Sequence, residues 1–167
     1  RMNSLAPALL LSMPQLVDPN FLRTVVLLCR HSEEGAFGLV VNRPAVASGQ
    51  IVVAGEPMFD AEREFQIWVG GPVDPQQSWV LVGGPADADT PDGLRIADGL
   101  HLSTSADLLQ RLLQSDPPPR ARLMAGYSGW GPGQLEAELE ESAWLLSDVD
   151  VDLIFDTPAE RLWETAI

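Results

Sequence analysis

Residues 24–44 read TVVLLCRHSEEGAFGLVVNRP, and the reading of this stretch decides the fold class. Thr24 to Cys29 is a run of strand formers. Ser32 to Gly35 is polar and closes on glycine, the composition of a hairpin loop. Phe37 to Val41 resumes as a strand, and Asn42-Arg43-Pro44 must end it because proline cannot donate to a sheet ladder.

Toward the N-terminus, Ala8 to Met13 is another strand, set off by the turn residues Pro14, Asp18 and Pro19. Leu5 to Met13 has the length of a signal-peptide core, but Pro7 and Pro14 interrupt it and no small-residue cleavage pattern follows. Three early strands result, antiparallel in part. Toward the C-terminus, Phe65 to Val69 and Trp79 to Val82 are strands, each running into a glycine pair, Gly70-Gly71 and Gly83-Gly84. Ala86 to Gly93 reads as an exposed loop, and Arg95 to Leu102 as one short edge strand. Leu108, Leu109, Leu112 and Leu113 recur at helical spacing, stopped by Pro117 to Pro119. Arg122 to Ala125 is a strand. Gly131-Pro132-Gly133 then opens a helix carrying Leu135, Leu139, Ala143 and Leu146 on one face. Val149, Val151, Leu153 and Phe155 alternate with Asp150 and Asp152 as in a half-buried strand. Thr157 and Glu160 have the spacing of a capping box for a last helix.

The 167 residues fit one domain, 1–167, and such a chain buries enough surface to stand without disulfides or metals. A single cysteine, Cys29, points to a reducing compartment, the cytoplasm. No apolar segment approaches the roughly 20 residues needed to cross a bilayer. The net charge is −14, with ten carboxylates against Arg161 alone in residues 134–167. That field repels phosphate backbones and anionic lipid, so neither nucleic acid nor membrane is an expected partner. All ten basic residues are arginine. Without lysine there is no Walker A loop, no Schiff base to a pyridoxal cofactor and no kinase strand lysine.

Cys29 and His31, two apart, offer a nucleophile and its base, and equally a buried thiol and a loop imidazole. Gly126-Tyr127-Ser128-Gly129-Trp130 sits between a strand and a helix, where hydrolases place a nucleophilic serine. It misses the G-x-S-x-G elbow, because Trp130 stands in place of glycine and no histidine follows His101. Glu136, Glu140, Glu141, Asp150 and Asp152 are paired carboxylates or a solvated face. Neither histidine has ligand spacing, so no metal and no cofactor is assigned. Gly129, Gly131 and Gly133 precede a helix as a phosphate loop would, but Gln134 breaks the pattern and Glu136 and Glu138 follow.

Several blocks together are specific to a family. Leu10-Leu11-Ser12-Met13-Pro14, Asp18-Pro19-Asn20-Phe21 and Gly35 through Pro44 resemble the opening of the YqgE/AlgH proteins. Val69-Gly70-Gly71-Pro72-Val73, Tyr127 through Glu136 and Ile154-Phe155-Asp156-Thr157-Pro158 resemble their middle and end. The resemblance implies a bacterial cytosolic protein of α+β class, in which a branched, mixed β-sheet curls into a pseudo-barrel with a few helices packed outside. It implies no reaction, and the family's association with control of alginate synthesis suggests regulation. Between Pro44 and Phe59 this sequence departs from the family's Leu-rich helix, with Ser48-Gly49, Gly55 and Pro57.

These readings favour a module that binds a small ligand or a protein. The alternative is a small-molecule hydrolase, and the third reading, a transcriptional regulator, has the net charge against it. The expected ligand site gathers three turn-marked strand ends: Asn42 and Arg43, Gly70 and Gly71, and Tyr127, Gly129, Trp130, Gly131, Gly133 and Gln134. Tyr127 and Trp130 would wall the crevice, Arg43 would supply a bidentate donor, and the glycines would admit a ligand to the backbone.

Overall fold

The computed structural model describes residues 4–13, 22–44, 51–53, 56–59, 67–83, 93–97, 99–103 and 120–167. The expected helix around Leu108 to Leu113 and most of the expected loop at 86–93 lie outside these residues.

The opening hairpin forms as its sequence dictates. Strands β2 (Val25–Ser32) and β3 (Gly35–Val40) pair antiparallel with Leu27 opposite Leu39, and the Ser32 hydroxyl accepts the Glu34 N–H across the turn. β1 (Ala8–Ser12) lies on the other side of β2, Leu9 opposite Leu27. Because side chains alternate, these strands feed two cores at once. Leu9, Leu11, Val25, Leu27, Leu39 and Val41 enter one, while Ala8, Leu10, Val26, Leu28 and Val40 enter the other. Burial on both faces explains why the strands read as continuous apolar runs.

Further along come β4 (Ile51–Val53), β5 (Glu56–Phe59), β6 (Ile67–Val69), β7 (Val73–Gly83), β8 (Gly93–Ala97), β9 (Leu100–Ser103), β10 (Ala121–Trp130) and β11 (Trp144–Ser147). The main sheet runs β11-β1-β2-β3-β10-β7-β9-β8, and β6 joins β10 in parallel off this path. The sheet is therefore branched and mixed, mostly antiparallel, and it curls into a half-barrel with three helices among the described residues. This is the α+β architecture the sequence implies. Among the described residues β4 and β5 pair with each other and with no other strand, so the interval where the family's helix was missing holds a two-stranded antiparallel pair.

Five local expectations are corrected. The strand expected at 122–125 continues to Trp130 through a bulge at Gly126 (φ 75°), so Tyr127 to Trp130 belongs to a strand and not to a strand-to-helix turn. Arg95 to Leu102 is two strands, turned at Gly99 (φ 76°), where the sequence holds the hairpin signal Asp98-Gly99. Helix α1 (Gln134–Glu140) does not reach Leu146. It ends in a Schellman turn with Ser142 at φ 60° and the Ala143 N–H on the Glu138 carbonyl, and Trp144 to Ser147 pairs the free edge of β1 instead.

The alternating segment at 149–155 is a helix, α2 (Val151–Asp156). Ile154 is buried, Val151, Leu153 and Phe155 pack half-buried against the same core, and the Asp150 carboxylate caps the helix by accepting the Leu153 N–H at 3.0 Å. The last helix, α3 (Ala159–Ala166), starts after Pro158 with no side-chain cap. Thr157 is the extended residue that ends α2, so Glu160 sits too near the helix start to close a box with it. Helices α2 and α3 bring Ile154 and Leu162 into the first core, and α1 brings Leu135 into the second.

Candidate functional site

The end of β3 is tied down by its own side chains. Asn42 Oδ1 accepts the Val25 N–H and its Nδ2 donates to the Arg23 carbonyl, each at 3.0 Å. The Arg43 carbonyl accepts the Val69 N–H, its Nη2 donates to Thr24 Oγ1 at 3.1 Å, and Pro44 bridges Trp68. The Val40 N–H donates to the Gly70 carbonyl, and the Gly70 N–H to the Ala125 carbonyl. Asn42, Arg43, Gly70, Gly71 and Tyr127 are thus brought to one junction.

The glycine pair there serves the backbone. A Cβ on Gly70 would strike the Gly126 carbonyl oxygen, and one on Gly71 (φ 153°) the Tyr127 carbonyl. Only glycine lets these strands pass so closely.

Beyond the Gly126 bulge the faces of β10 are reset. Tyr127 turns to the first core and packs against Phe37 with tilted rings (centroids 5.0 Å) and edge-to-face against Trp79 (6.5 Å), a half-buried aromatic wall. Trp130, three residues on, turns to the opposite face and packs in the second core with Leu135 and Trp144. The two side chains therefore do not wall one crevice. Trp130 Nε1 and Trp144 Nε1 both donate to Glu138 Oε1, at 3.1 and 2.8 Å, and Gln134 joins the same network through Glu138 Oε2. Gln134 Oε1 also accepts the Gly131 N–H. So Trp130, Gly131, Gly133 and Gln134 form the seat of α1, while around Gly129 and Gly131 there is only ordinary contact or open space.

The candidate nucleophiles are occupied by the fold. Cys29 stands unpaired at a bulge of β2, packs against the first core, and burial pushes its thiol up to about 12. His31 lies toward the other core: its Nδ1 accepts the Leu5 N–H at 3.0 Å, so the proton sits on Nε2, which donates to Glu136 at 2.8 Å. Cys29 and His31 are no pair. Ser128 is fully buried and its hydroxyl donates to the Gly70 carbonyl at 3.2 Å.

One residue that strand assignment alone passed over is Arg122. It shares the inner face of β10 with Met124, is 9% exposed, and its Nη1 donates to the Val41 carbonyl at 2.7 Å. The guanidinium lies 4.0 Å from the centroid of the Trp68 ring and 5.3 Å from that of Phe155. Desolvation lowers its pKa to about 10, which still leaves it charged at neutral pH. The visible signal was a charge at an inward position of an apolar strand.

A family model described as AlgH-like matches residues 9–167. A UPF0301 protein of Myxococcus xanthus is 40% identical, over 99% of this chain and 91% of that one. A UPF0301 protein of Ruegeria pomeroyi is 38% identical, over 95% and 88%. The solution structure of the AlgH protein from Pseudomonas aeruginosa matches with a TM-score of 0.76 and 34% identity, covering 99% of this chain and 89% of that one. A crystal structure of a Corynebacterium diphtheriae protein, 21% identical with a TM-score of 0.69, covers 99% and 86% and shares the fold.

Proposed function

The chain belongs to the AlgH-like family, and from that premise we propose that it is a cytosolic binding module whose ligand seat is the junction of the β3 end, Gly70-Gly71 and the β10 bulge. One observation carries the reading. The wall of Phe37, Trp79 and Tyr127 is half-buried beside that junction, and the Trp79 indole N–H is buried with no acceptor among the described residues. Small-ligand sites combine such apolar surface with a few convergent polar groups. An unmet buried donor costs about 1–3 kcal/mol, a cost that a ligand acceptor would remove. The binding role is further supported by the state of the nucleophiles: a thiol pushed up to about 12, a buried serine bonded to a carbonyl, and a histidine committed at both nitrogens.

The test is a thermal-shift screen of metabolites run beside a broad hydrolase panel. The expected result is a ligand that raises the melting temperature of the wild type and does not raise that of Tyr127→Ala, with no turnover. Hydrolysis that disappears in Ser128→Ala or His31→Ala would overturn the proposal.

A further inference from the structure

A buried guanidinium normally keeps a carboxylate. The chain has 24 carboxylates for 10 arginines, so a counter-charge was amply available to this position. None among the described residues bonds Arg122. The two carboxylates of α2, Asp152 and Asp156, instead bond Arg120, the neighbouring residue on the same face of the chain. Among the described residues Arg122 has a carbonyl and two ring faces around it, and a charge taken out of water without a counter-charge is costly. Ring faces return only a small part of that cost.

The sheet register places an unmet donor nearby. Arg122 is opposite Leu81 and Met124 is opposite Trp79, so Trp79 and Arg122 face the same side. They stand two residues apart along the ladder, roughly 7 Å. Trp79 Nε1–H has no acceptor among the described residues. Among the described residues the inner face thus carries one indole N–H without an acceptor and one guanidinium without a carboxylate, and the rings of Trp68 and Phe155 border the guanidinium.

We propose that the inner face at Arg122 binds a small anion, a carboxylate or phosphate attached to a flat apolar group. The proposal rests on the binding-module reading and names its ligand class. The guanidinium fork takes the two oxygens of the anion, its plane already oriented by the Val41 carbonyl and Trp68. The apolar part lies along the aromatic wall toward Trp79.

The experiment follows the indole N–H resonances of the ¹⁵N-labelled full chain during titration with benzoate, phenyl phosphate and uncharged benzyl alcohol. Saturable shifts of Trp68 and Trp79 are expected with at least one anion, at least tenfold tighter than with benzyl alcohol. Arg122→Met should weaken that anion tenfold or more and leave benzyl alcohol unchanged. The tighter of the two anions distinguishes carboxylate from phosphate. Benzyl alcohol binding as well as the anions would overturn the anion inference while the aromatic seat survives. No saturable shift with any of the three would remove both. The contrast between anion and alcohol in the wild type holds even where Arg122→Met fails to fold, and Arg122→Lys, which keeps the charge without the fork, should then fall between.

Discussion

Phe155 lies over Gly83 so closely that a Cβ on that glycine would stand 2.6 Å from the ring's Cε2 and 2.9 Å from its Cδ2. The missing side chain is what seats α2 on the sheet. The same ring is stacked by Arg120 and Arg122, at 5.6 and 5.3 Å, so it has little freedom to turn away. Gly83→Ala should therefore cost about 1–3 kcal/mol, as overpacking does. Urea unfolding measures it, and Gly83→Ala combined with Phe155→Leu should recover part of the loss because the atoms in conflict are gone. A single variant as stable as the wild type would contradict this seating.

Glu138 holds two indoles with one oxygen. Glu138→Ala removes the acceptor that the Trp130 and Trp144 indole N–H groups share in a largely buried setting, an expected loss of about 2–3 kcal/mol. Glu138→Gln keeps a carbonyl acceptor and should lose roughly half as much. The readout is the urea midpoint together with tryptophan near-ultraviolet circular dichroism. Equal loss in both variants would mean that the charge, and not the acceptor, matters.

Asp150 is the cap that makes α2 a helix. Asp150→Ala removes the acceptor of the Leu153 N–H and should cost about 1 kcal/mol, whereas Asp150→Asn or Asp150→Ser should cost only a few tenths. Chemical denaturation of the three variants decides it. Three equal stabilities would show that the cap contributes nothing.

Cys29 ties stability to alkaline pH. Its folded pKa, about 12, lies above the ordinary value of 9.0, so the unfolded chain loses the proton first as pH rises. The contribution is complete below about pH 9 and declines as pH rises from there toward about 12. Cys29→Ala should flatten that alkaline decline in a urea series. Alkylation at pH 8 should be slow in the native protein and fast in urea; a rapid native reaction would rule out the buried thiol.

Much of the architecture was open to reading along the chain. Thr24 to Pro44 carries its hairpin in local terms: strand formers, a polar turn closing on glycine and a proline stop. The segment at 149–155 was less legible, because over so few residues Asp150 and Asp152 fit period two as well as a capped helix, and buried Ile154 was the deciding residue. Leu146 looked helical because nothing local records that β1 has a free edge waiting for Trp144 to Ser147.

The candidate site divides along the same line. The sequence by itself determined the turn residues and the close-packed glycines of the junction, since backbone geometry at Gly70 and Gly71 depends on residue type. Only the tertiary structure decided which way the side chains go. A one-residue bulge at Gly126 exchanges the faces of β10 and so puts Tyr127 on the first-core side, and Trp130, an odd number of residues further along the same strand, falls in the second core. Arg122 finds its carbonyl 81 positions away at Val41, and its rings come from β6 and α2. No local pattern encodes such company, because it exists only once the sheet has curled and brought those elements around one charge.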